Sequence, residues 1–314
     1  METLLRTVLR RWRRSPRSPR SQVQLLSDLH LEIGQQYSSY TFPVSAPFLL
    51  LAGDIGRLID YDGYRQFLEA QVCRYKKVFL VLGNHEFYGL DYSAGIDEAC
   101  RLAKEPSLAE GLILLHKTRW DDADSALTIL GCTLWSAIPD QSSRLIESAV
   151  NDFKHIGGWT AQRHNEIHTE EAAWLREQVA RVSHVQKQVR KIEGWNEGEG
   201  DNKGKKSASM RLLLVATHHA PSKDGTSRPC DANSPWTPAF ATDLLGQRGW
   251  EAVKVWAYGH THYSTDFRVR RSNVRVVANQ RGYVFPNAMP TPQIQDKKVS
   301  KKARDFDPAM VITM

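Results

Sequence analysis

The sequence predicts an α/β protein built on a partly parallel sheet, and three observations carry that expectation. Short apolar runs at residues 23–26, 48–52 and 78–82 have the length and composition of buried strands. Between the second and third runs, Phe67, Leu68, Val72 and Tyr75 keep helical spacing across residues 64–75. Polar motifs stand just after the apolar runs, where the carboxyl ends of parallel strands place ligands in such sheets.

Taken in order, residues 1–20 are an Arg-rich, Ser/Pro-punctuated stretch in which Leu4, Leu5, Val8, Leu9 and Trp12 make one face of a short basic helix. A mitochondrial presequence, a membrane-surface helix and a disordered extension all fit that pattern. The core pattern begins at Val23. Strand, helix and strand then alternate at intervals of about 30 residues, as βαβ units do. Further strands are expected at residues 112–115, 127–130, 212–216 and 253–257, with late ones at 269–277 and 310–314. A long helix is expected from residue 168 to about 191, with Ala172, Leu175, Val179 and Val182 facing inward. Residues 194–209 are rich in Gly, Lys, Glu and Asn without periodicity and predict a disordered surface insertion; residues 286–304 form a second polar loop. The organisation expected is a basic extension at 1–20 and one domain at 21–314 interrupted at about 194–209.

At 314 residues, with 41% hydrophobic and 25% charged side chains, the chain has the composition of a soluble globular protein with a sizeable core. No apolar run approaches the roughly 20 residues that cross a bilayer. The four cysteines form no CxxC pair, so a disulfide framework or a thiolate zinc site is not expected, and reduced, mostly buried thiols in an intracellular protein are. A cytoplasmic location follows, or a mitochondrial one if residues 1–20 are a presequence. The formal charge of +7 suggests a nucleic-acid partner, but its distribution argues otherwise. Seven arginines against Glu2 give residues 1–20 a balance of +6, which leaves the rest of the chain near +1.

Five motifs carry the chemistry: Asp28-Leu29-His30, Gly53-Asp54, Gly83-Asn84-His85-Glu86, His218-His219 and Gly259-His260-Thr261-His262. Four of them follow an apolar run. Together they offer enough nitrogen and oxygen ligands for two metal ions. An Asp and a His two residues apart lie on one side of extended backbone, and the same holds for His260 and His262 if that segment is extended. Mixed imidazole and carboxylate donors without thiolate suit Mn, Fe, Zn, Ni or Co; Mg alone favours oxygen ligands. Gly53, Gly83 and Gly259 let backbone approach the ions or take dihedrals other residues resist. Each motif alone is weak, but all five in order are specific.

This run of motifs resembles the calcineurin-like metallophosphoesterase superfamily, which includes Ser/Thr protein phosphatases, purple acid phosphatases, cyclic-nucleotide phosphodiesterases and the nuclease of double-strand-break repair. The resemblance covers roughly residues 22–314. Leu134-Trp135-Ser136, Asn151-Asp152-Phe153, His168 ahead of Trp174-Leu175, and Gly282-Tyr283 look like a small-molecule or uncharacterised branch of that group. It implies a four-layer α/β/β/α sandwich, two mixed sheets flanked by helices. It implies that Asp28, His30 and His262 bind one metal, that Asn84, His218 and His260 bind the other, and that Asp54 bridges both. Family members with an HHxP pattern use the first His, which assigns His218 and leaves His219 behind the ligands or toward the substrate. A hydroxide bridging the metals would attack phosphorus, with no phosphoenzyme, and His85 would be the general acid, while Glu86 would orient an imidazole.

The function expected is therefore hydrolysis of a phosphate mono- or diester, with a small-molecule substrate. A protein phosphatase fits less well, because the GNHE segment continues Phe-Tyr-Gly. A non-catalytic scaffold, such as the retromer subunit that keeps this fold, would show altered ligands, and here every position is intact. A nuclease would need a basic cleft. Arg57 is either a phosphate contact or a surface residue; Phe87 and Tyr88 either pack under the metal loop or stack on a leaving group. His168 either lines the cleft or is solvated, Tyr263 and Asn279 are rim candidates, and His116, His155, His164 and His184 receive no role. Loops at 87–100, 136–165 and 219–240 are expected to shape the pocket.

Overall fold

The computed structural model describes residues 21–192, 210–285 and 303–314, so the extension at 1–20 and the insertion expected at 194–209 lie outside the described residues. The first sheet holds four parallel strands, β1 (Gln22–Leu26), β2 (Phe48–Ala52), β3 (Lys77–Val81) and β4 (Leu112–Leu114). The second sheet contains β5 (Thr118–Asp121), β6 (Leu127–Cys132), β7 (Leu212–Thr217), β8 (Val253–Tyr258), β9 (Ser264–Arg268), β10 (Arg275–Ala278) and β11 (Ala303–Arg304), in the order β11-β9-β10-β8-β7-β6-β5. Its central strands β6, β7, β8 and β10 are parallel, and its outer strands are antiparallel. The last strand, β12 (Val311–Thr313), returns to the first sheet antiparallel to β1.

Alternation along the strands builds the layers. Leu25, Leu50, Phe79 and Val81 of the first sheet meet Ile129, Leu214, Ala216, Val255 and Val277 of the second in a buried seam. Their neighbours Leu26, Leu49, Leu51, Val78 and Leu80 point the other way, onto Phe67 and Leu68 of α1 (Tyr61–Val72) and Ala99 and Leu102 of α2 (Tyr92–Ala103). On the far side, Leu213, Val215 and Trp256 pack on Leu175, Val179 and Val182 of α5 (Ala161–Ile192). The short helices α3 (Asp140–Ala149) and α4 (Asp152–His155) lie between β6 and α5. Each fully buried Leu or Val contributes roughly 1.5–3 kcal/mol by leaving water. The result is the expected helix, sheet, sheet, helix sandwich.

Several boundaries differ from expectation. The first helix runs Tyr61–Val72 rather than 64–75, and Tyr75 sits beyond its end, its hydroxyl donating to Gln24 Oε1 at 2.8 Å. The long helix starts seven residues earlier than expected because Thr160 caps it: Thr160 Oγ1 accepts the Arg163 N–H at 3.1 Å. Helix α2 lies in a stretch expected as loop; it buries Ala99 and Leu102 on one face, and Asp91 caps it by accepting the Ala94 N–H at 2.9 Å. Residues 269–277 form a turn, with Asn273 at φ 57°, followed by β10, rather than one strand. The partner strand β9 is polar and gives no apolar signal; its Asp266 is paired with Arg275 and Arg304 instead. Ala303–Arg304 is strand rather than loop. The cysteines are free, but only Cys132 is buried; Cys73 and Cys230 are exposed, so the expectation of mostly buried thiols is corrected.

Among the described residues, no helix is long and apolar enough to cross a membrane.

Candidate metal centre

All five motifs fall at the carboxyl ends of parallel strands. Asp28 follows β1, Asp54 follows β2, Asn84 follows β3, His218 follows β7 directly and His260 follows β8. The first three come from one sheet and the last two from the other, so the centre forms where the two sheets' strand ends meet.

The backbone here is not extended. Asp28, His30, Asp54, His260 and His262 have φ of 52°, 48°, 52°, 74° and 47°, all in the left-handed region. The expectation that extended spacing puts these pairs on one side is corrected: a left-handed turn at each residue aims them inward. Such dihedrals cost of order 1–3 kcal/mol each and survive only where neighbours hold them. Adjacent loops do so. The Asp28 N–H donates to Gly53 O and the His30 N–H to Asp54 O, each at 3.0 Å, while the Gly259 N–H donates to His218 O at 2.9 Å. Side chains lock the rest: the His85 N–H donates to Asp54 Oδ1 and the His260 N–H to Asp28 Oδ1, both at 2.9 Å.

Glu86 serves this backbone and not an imidazole, which corrects its expected role. Its fully buried carboxylate accepts the N–H groups of Gly83, Asp54 and Ile55 at 2.6, 2.9 and 2.8 Å, and the Tyr64 hydroxyl at 2.9 Å. Gly53 meets its expectation through a φ of 89°, and Gly83 through contact, since a Cβ there would stand 2.1 Å from Asp54 Oδ1.

Among the described residues three donor groups result, one of them His30, Glu32 and His85, and the other two made of expected ligands alone. In one of these two, Asp28, His30 and His262 bring their ligand atoms within 4.8 Å of one another; in the other, Asp54, His218 and His260 do the same. His30 Nε2 lies 2.9 Å from His262 Nε2, which lies 3.5 Å from Asp28 Oδ1. His218 Nε2 lies 3.0 Å from Asn84 Oδ1. Asp54 joins the groups, with Oδ1 3.3 Å from His218 Nε2 and Oδ2 3.8 Å from His30 Nε2. The structure therefore brings all seven expected positions together. His218 faces the centre, whereas His219 stacks behind His260 at 4.0 Å and is fully buried.

These donors fit divalent ions. His260 Nε2 is buried with no hydrogen-bond partner, which ordinarily costs about 1–3 kcal/mol and is relieved by a cation. Burial pushes the Asp54 carboxyl up, but the imidazoles of His218, His85 and His30 outweigh it and hold it well below the usual carboxylate range. Burial lowers His218, yet Asp54 raises it further, to about 10. Burial also lowers His85, and Asp54 and Glu32 raise it to about 9. The carboxylates thus create a field that holds positive charge.

Sequence reasoning missed three contributors. Glu32 Oε1 lies 3.1 Å from His30 Nδ1 and 2.9 Å from His85 Nδ1; burial raises its carboxyl, but those two bonds bring it down to about 2. Asp152 Oδ1 accepts from Asn84 Nδ2 and from the Tyr88 hydroxyl, both at 2.7 Å. Tyr283 places its hydroxyl 3.2 Å from His85 Nε2. The Asn151-Asp152 and Gly282-Tyr283 pairs were the only signals for the last two, and nothing in the sequence marked Glu32.

A cleft of about 660 Å3 opens above the centre, between Tyr88, Asn151, Lys223, Trp236, Phe240 and Tyr283. Of the three loops expected to shape it, 136–165 and 219–240 do, through residues 149–152 and 223–240; the 87–100 segment contributes Tyr88 and is otherwise mostly helix. Tyr88 stacks on His85 at 4.2 Å, while Phe87 is buried on Tyr92. Arg57 pairs with Asp60 at 3.0 Å and does not line the cleft. His168 is buried against Leu134 O at 2.8 Å, neither cleft-facing nor solvated. Asn279 is structural, donating to Leu25 O and Asp307 O.

Comparison with known proteins bears on the family and the fold. A family model described as calcineurin-like phosphoesterase matches residues 23–264. An uncharacterised protein, L509, from Acanthamoeba polyphaga mimivirus is 26% identical over 280 residues, covering 83% of this chain and 91% of the relative. Phosphopantetheinyl hydrolase, PptH, from Mycobacterium tuberculosis superposes with a TM-score of 0.57 at 18% identity, over 85% of this chain and 91% of that one, and shares the fold. A dimetal phosphatase from Danio rerio gives a TM-score of 0.46 at 12% identity, over 83% and 88% of the two chains.

Proposed function

The chain belongs to the calcineurin-like phosphoesterase family, and from that premise we propose a hydrolase of small-molecule phosphate esters whose two metal ions are held by Asp28, His30, Asp54, Asn84, His218, His260 and His262. Metal-dependent phosphoesterase activity in general comes with the family; the ligand set, substrate and proton donor are the proposal. The observation that carries it is the split of Asp54, with one oxygen turned to each donor group. Asp54 would bridge, Asp28, His30 and His262 would hold one ion, and Asn84, His218 and His260 the other. The chemistry the ions supply when bound is Lewis acidity toward phosphoryl oxygens and water, for which Mn, Fe, Zn, Ni and Co all suit these donors.

The chain's own part is positioning and proton delivery. Nδ1 of His85 is engaged by Glu32, which leaves Nε2 facing the cleft, where the ester oxygen departs. With Nδ1 held by Glu32, His85 would donate a proton from Nε2 to that oxygen. The Tyr88 ring stacked on it fixes its plane. A cleft of about 660 Å3 walled by aromatic rings receives a metabolite-sized ester. The near-neutral charge of residues 21–314 gives little steering for nucleic acid.

Purified protein with Mn2+ is expected to hydrolyse p-nitrophenyl phosphate or its bis ester, and Asp54→Ala to remove that activity. Full activity in the Asp54 variant sinks the reading. Single-stranded DNA and RNA cleavage at two salt concentrations tests the nuclease alternative, and a metabolite-wide hydrolysis screen identifies the ester.

A further inference from the structure

We infer that Glu32 is a positioning residue: one of its carboxylate oxygens orients both the metal-side imidazole of His30 and the proton-donating imidazole of His85. The inference rests on the role given to His85 above.

Glu32 Oε1 sits 3.1 Å from His30 Nδ1 and 2.9 Å from His85 Nδ1. An ionised carboxylate only accepts, so both Nδ1 atoms must carry hydrogen. That fixes the tautomer of each ring. In His30 the lone pair is left on Nε2, which faces His262 Nε2 at 2.9 Å and Asp54 Oδ2 at 3.8 Å inside the centre. In His85 the exchangeable site is left on Nε2, which faces the Tyr283 hydroxyl at 3.2 Å on the cleft side. A half-turn of either ring would put carbon where nitrogen is needed and break the bond to Glu32. The two rings also pack edge to face, with centroids 4.4 Å apart.

Glu32 is nearly buried, and its second oxygen has no hydrogen-bond partner. A buried carboxylate is costly unless its bonds are strong, which makes the two charge-assisted N–H contacts the reason it is tolerated. His30, Glu32 and His85 have metal-ligand side chains, but a third ion there would require His30 to bind cations through both nitrogens, as an imidazolate. The distances of 2.9 and 3.1 Å are those of hydrogen bonds.

In the chemical step, the ester oxygen takes the Nε2 proton of His85 as its bond to phosphorus breaks. The neutral ring stays bonded to Glu32 through Nδ1–H and regains its proton from solvent. Losing Glu32 therefore harms proton delivery most where the leaving oxygen is strongly basic.

The test compares full-length wild type, Glu32→Leu, Glu32→Gln and His85→Asn, all with Mn2+, on p-nitrophenyl phosphate and an alkyl phosphate. In Glu32→Leu, kcat for the alkyl ester is expected to fall roughly 10²-fold and that for the nitrophenyl ester much less, with KM little changed. His85→Asn should show the same selectivity, and Glu32→Gln, which keeps an accepting oxygen, should recover part of the loss. With Mn2+ saturating for each variant, an equal loss on both esters overturns the inference. A second readout needs neither metal nor activity: long-range 1H–15N NMR at alkaline pH should show the Nδ1–H tautomer at His30 and His85 in wild type and mixed tautomers in a folded Glu32→Leu. Unchanged tautomers also overturn it. If wild type cleaves neither ester, the functional reading fails while the NMR result still decides the role of Glu32.

Discussion

Asp152 decides which end of the Asn84 amide faces the metal centre. Its Oδ1 accepts a hydrogen bond from Asn84 Nδ2 at 2.7 Å, which leaves Asn84 Oδ1 turned to His218 Nε2 at 3.0 Å. An amide can flip, and only its partners choose between oxygen and nitrogen. Nothing else local makes that choice as strongly, since the Tyr88 hydroxyl contact to the same nitrogen is longer, at 3.3 Å. The Asp152→Ala variant is expected to weaken binding of one ion by about 10–100-fold, the usual effect of removing a partner behind a ligand. Calorimetric titration with Mn2+ measures it, and two wild-type affinities in the variant would show that Asn84 is oriented by something else.

Proton and metal compete for the same field. Without a cation, Asp54 raises His218 to about 10, against the opposing pull of burial. His218 must be neutral to ligate, so loading near neutral pH must expel its proton. Metal affinity is expected to rise as pH rises toward about 10, the midpoint of that group. Adding Mn2+ to weakly buffered, metal-free protein should acidify the solution. The Asp54→Asn variant removes the source of the shift and should release fewer protons per ion bound.

Gly53 is where backbone and ligand geometry meet. Its φ is 89°, and a Cβ there would lie 2.3 Å from His218 Nδ1 and 2.9 Å from Gly83 N. Gly158 offers a control, with φ 65° and nothing within 4 Å of its hypothetical Cβ. Gly158→Ala should cost only the left-handed backbone penalty, about 1–2 kcal/mol. Gly53→Ala should cost more and also lose metal, because the His218 ring must move. Urea unfolding of both variants, with metal content alongside, separates the two effects.

The seven candidate ligand positions could be picked out because their residue types are costly unless used, and because each stands where a parallel strand ends. The strands carrying them announced themselves through short, mostly apolar runs: β2, β3 and β7 are apolar almost throughout, while β1 and β8 are interrupted by Gln24 and Lys254. What stayed hidden depends on contacts distant in sequence. Glu32 means nothing until the fold carries His85, 53 residues on, to its carboxylate, and Asp152 lies 68 residues from Asn84. The left-handed dihedrals at Asp28 and His30 were illegible for another reason: neither residue type requires them, and hydrogen bonds to backbone distant in sequence, at Gly53 O and Asp54 O, hold them. Strand β9 was missed because its sequence, Ser-Thr-Asp-Phe-Arg, is mostly polar; its Asp266 is held by Arg275 and Arg304 from β10 and β11.

Glu171 gives the fold a pH dependence of its own, away from the metal ligands. It is fully buried on α5, and neither carboxylate oxygen has a well-aligned hydrogen-bond donor. Burial pushes its carboxyl up to about 8; the amides of Leu134 and Thr133 and the charge of Lys117 pull it down without offsetting that. An unfolded Glu titrates near 4.5, so the native state binds a proton that the unfolded chain has released. With more protons on the native side, stability falls as pH rises. The contribution is complete below about 4.5 and is lost as pH rises through about 8. Glu171→Gln keeps the shape and removes the titration. Its stability relative to wild type is therefore expected to improve steadily between pH 5 and pH 8, by up to a few kcal/mol. Urea unfolding of metal-free wild type and variant across that range measures the difference, and a difference that stays flat would mean that Glu171 is ionised within the fold.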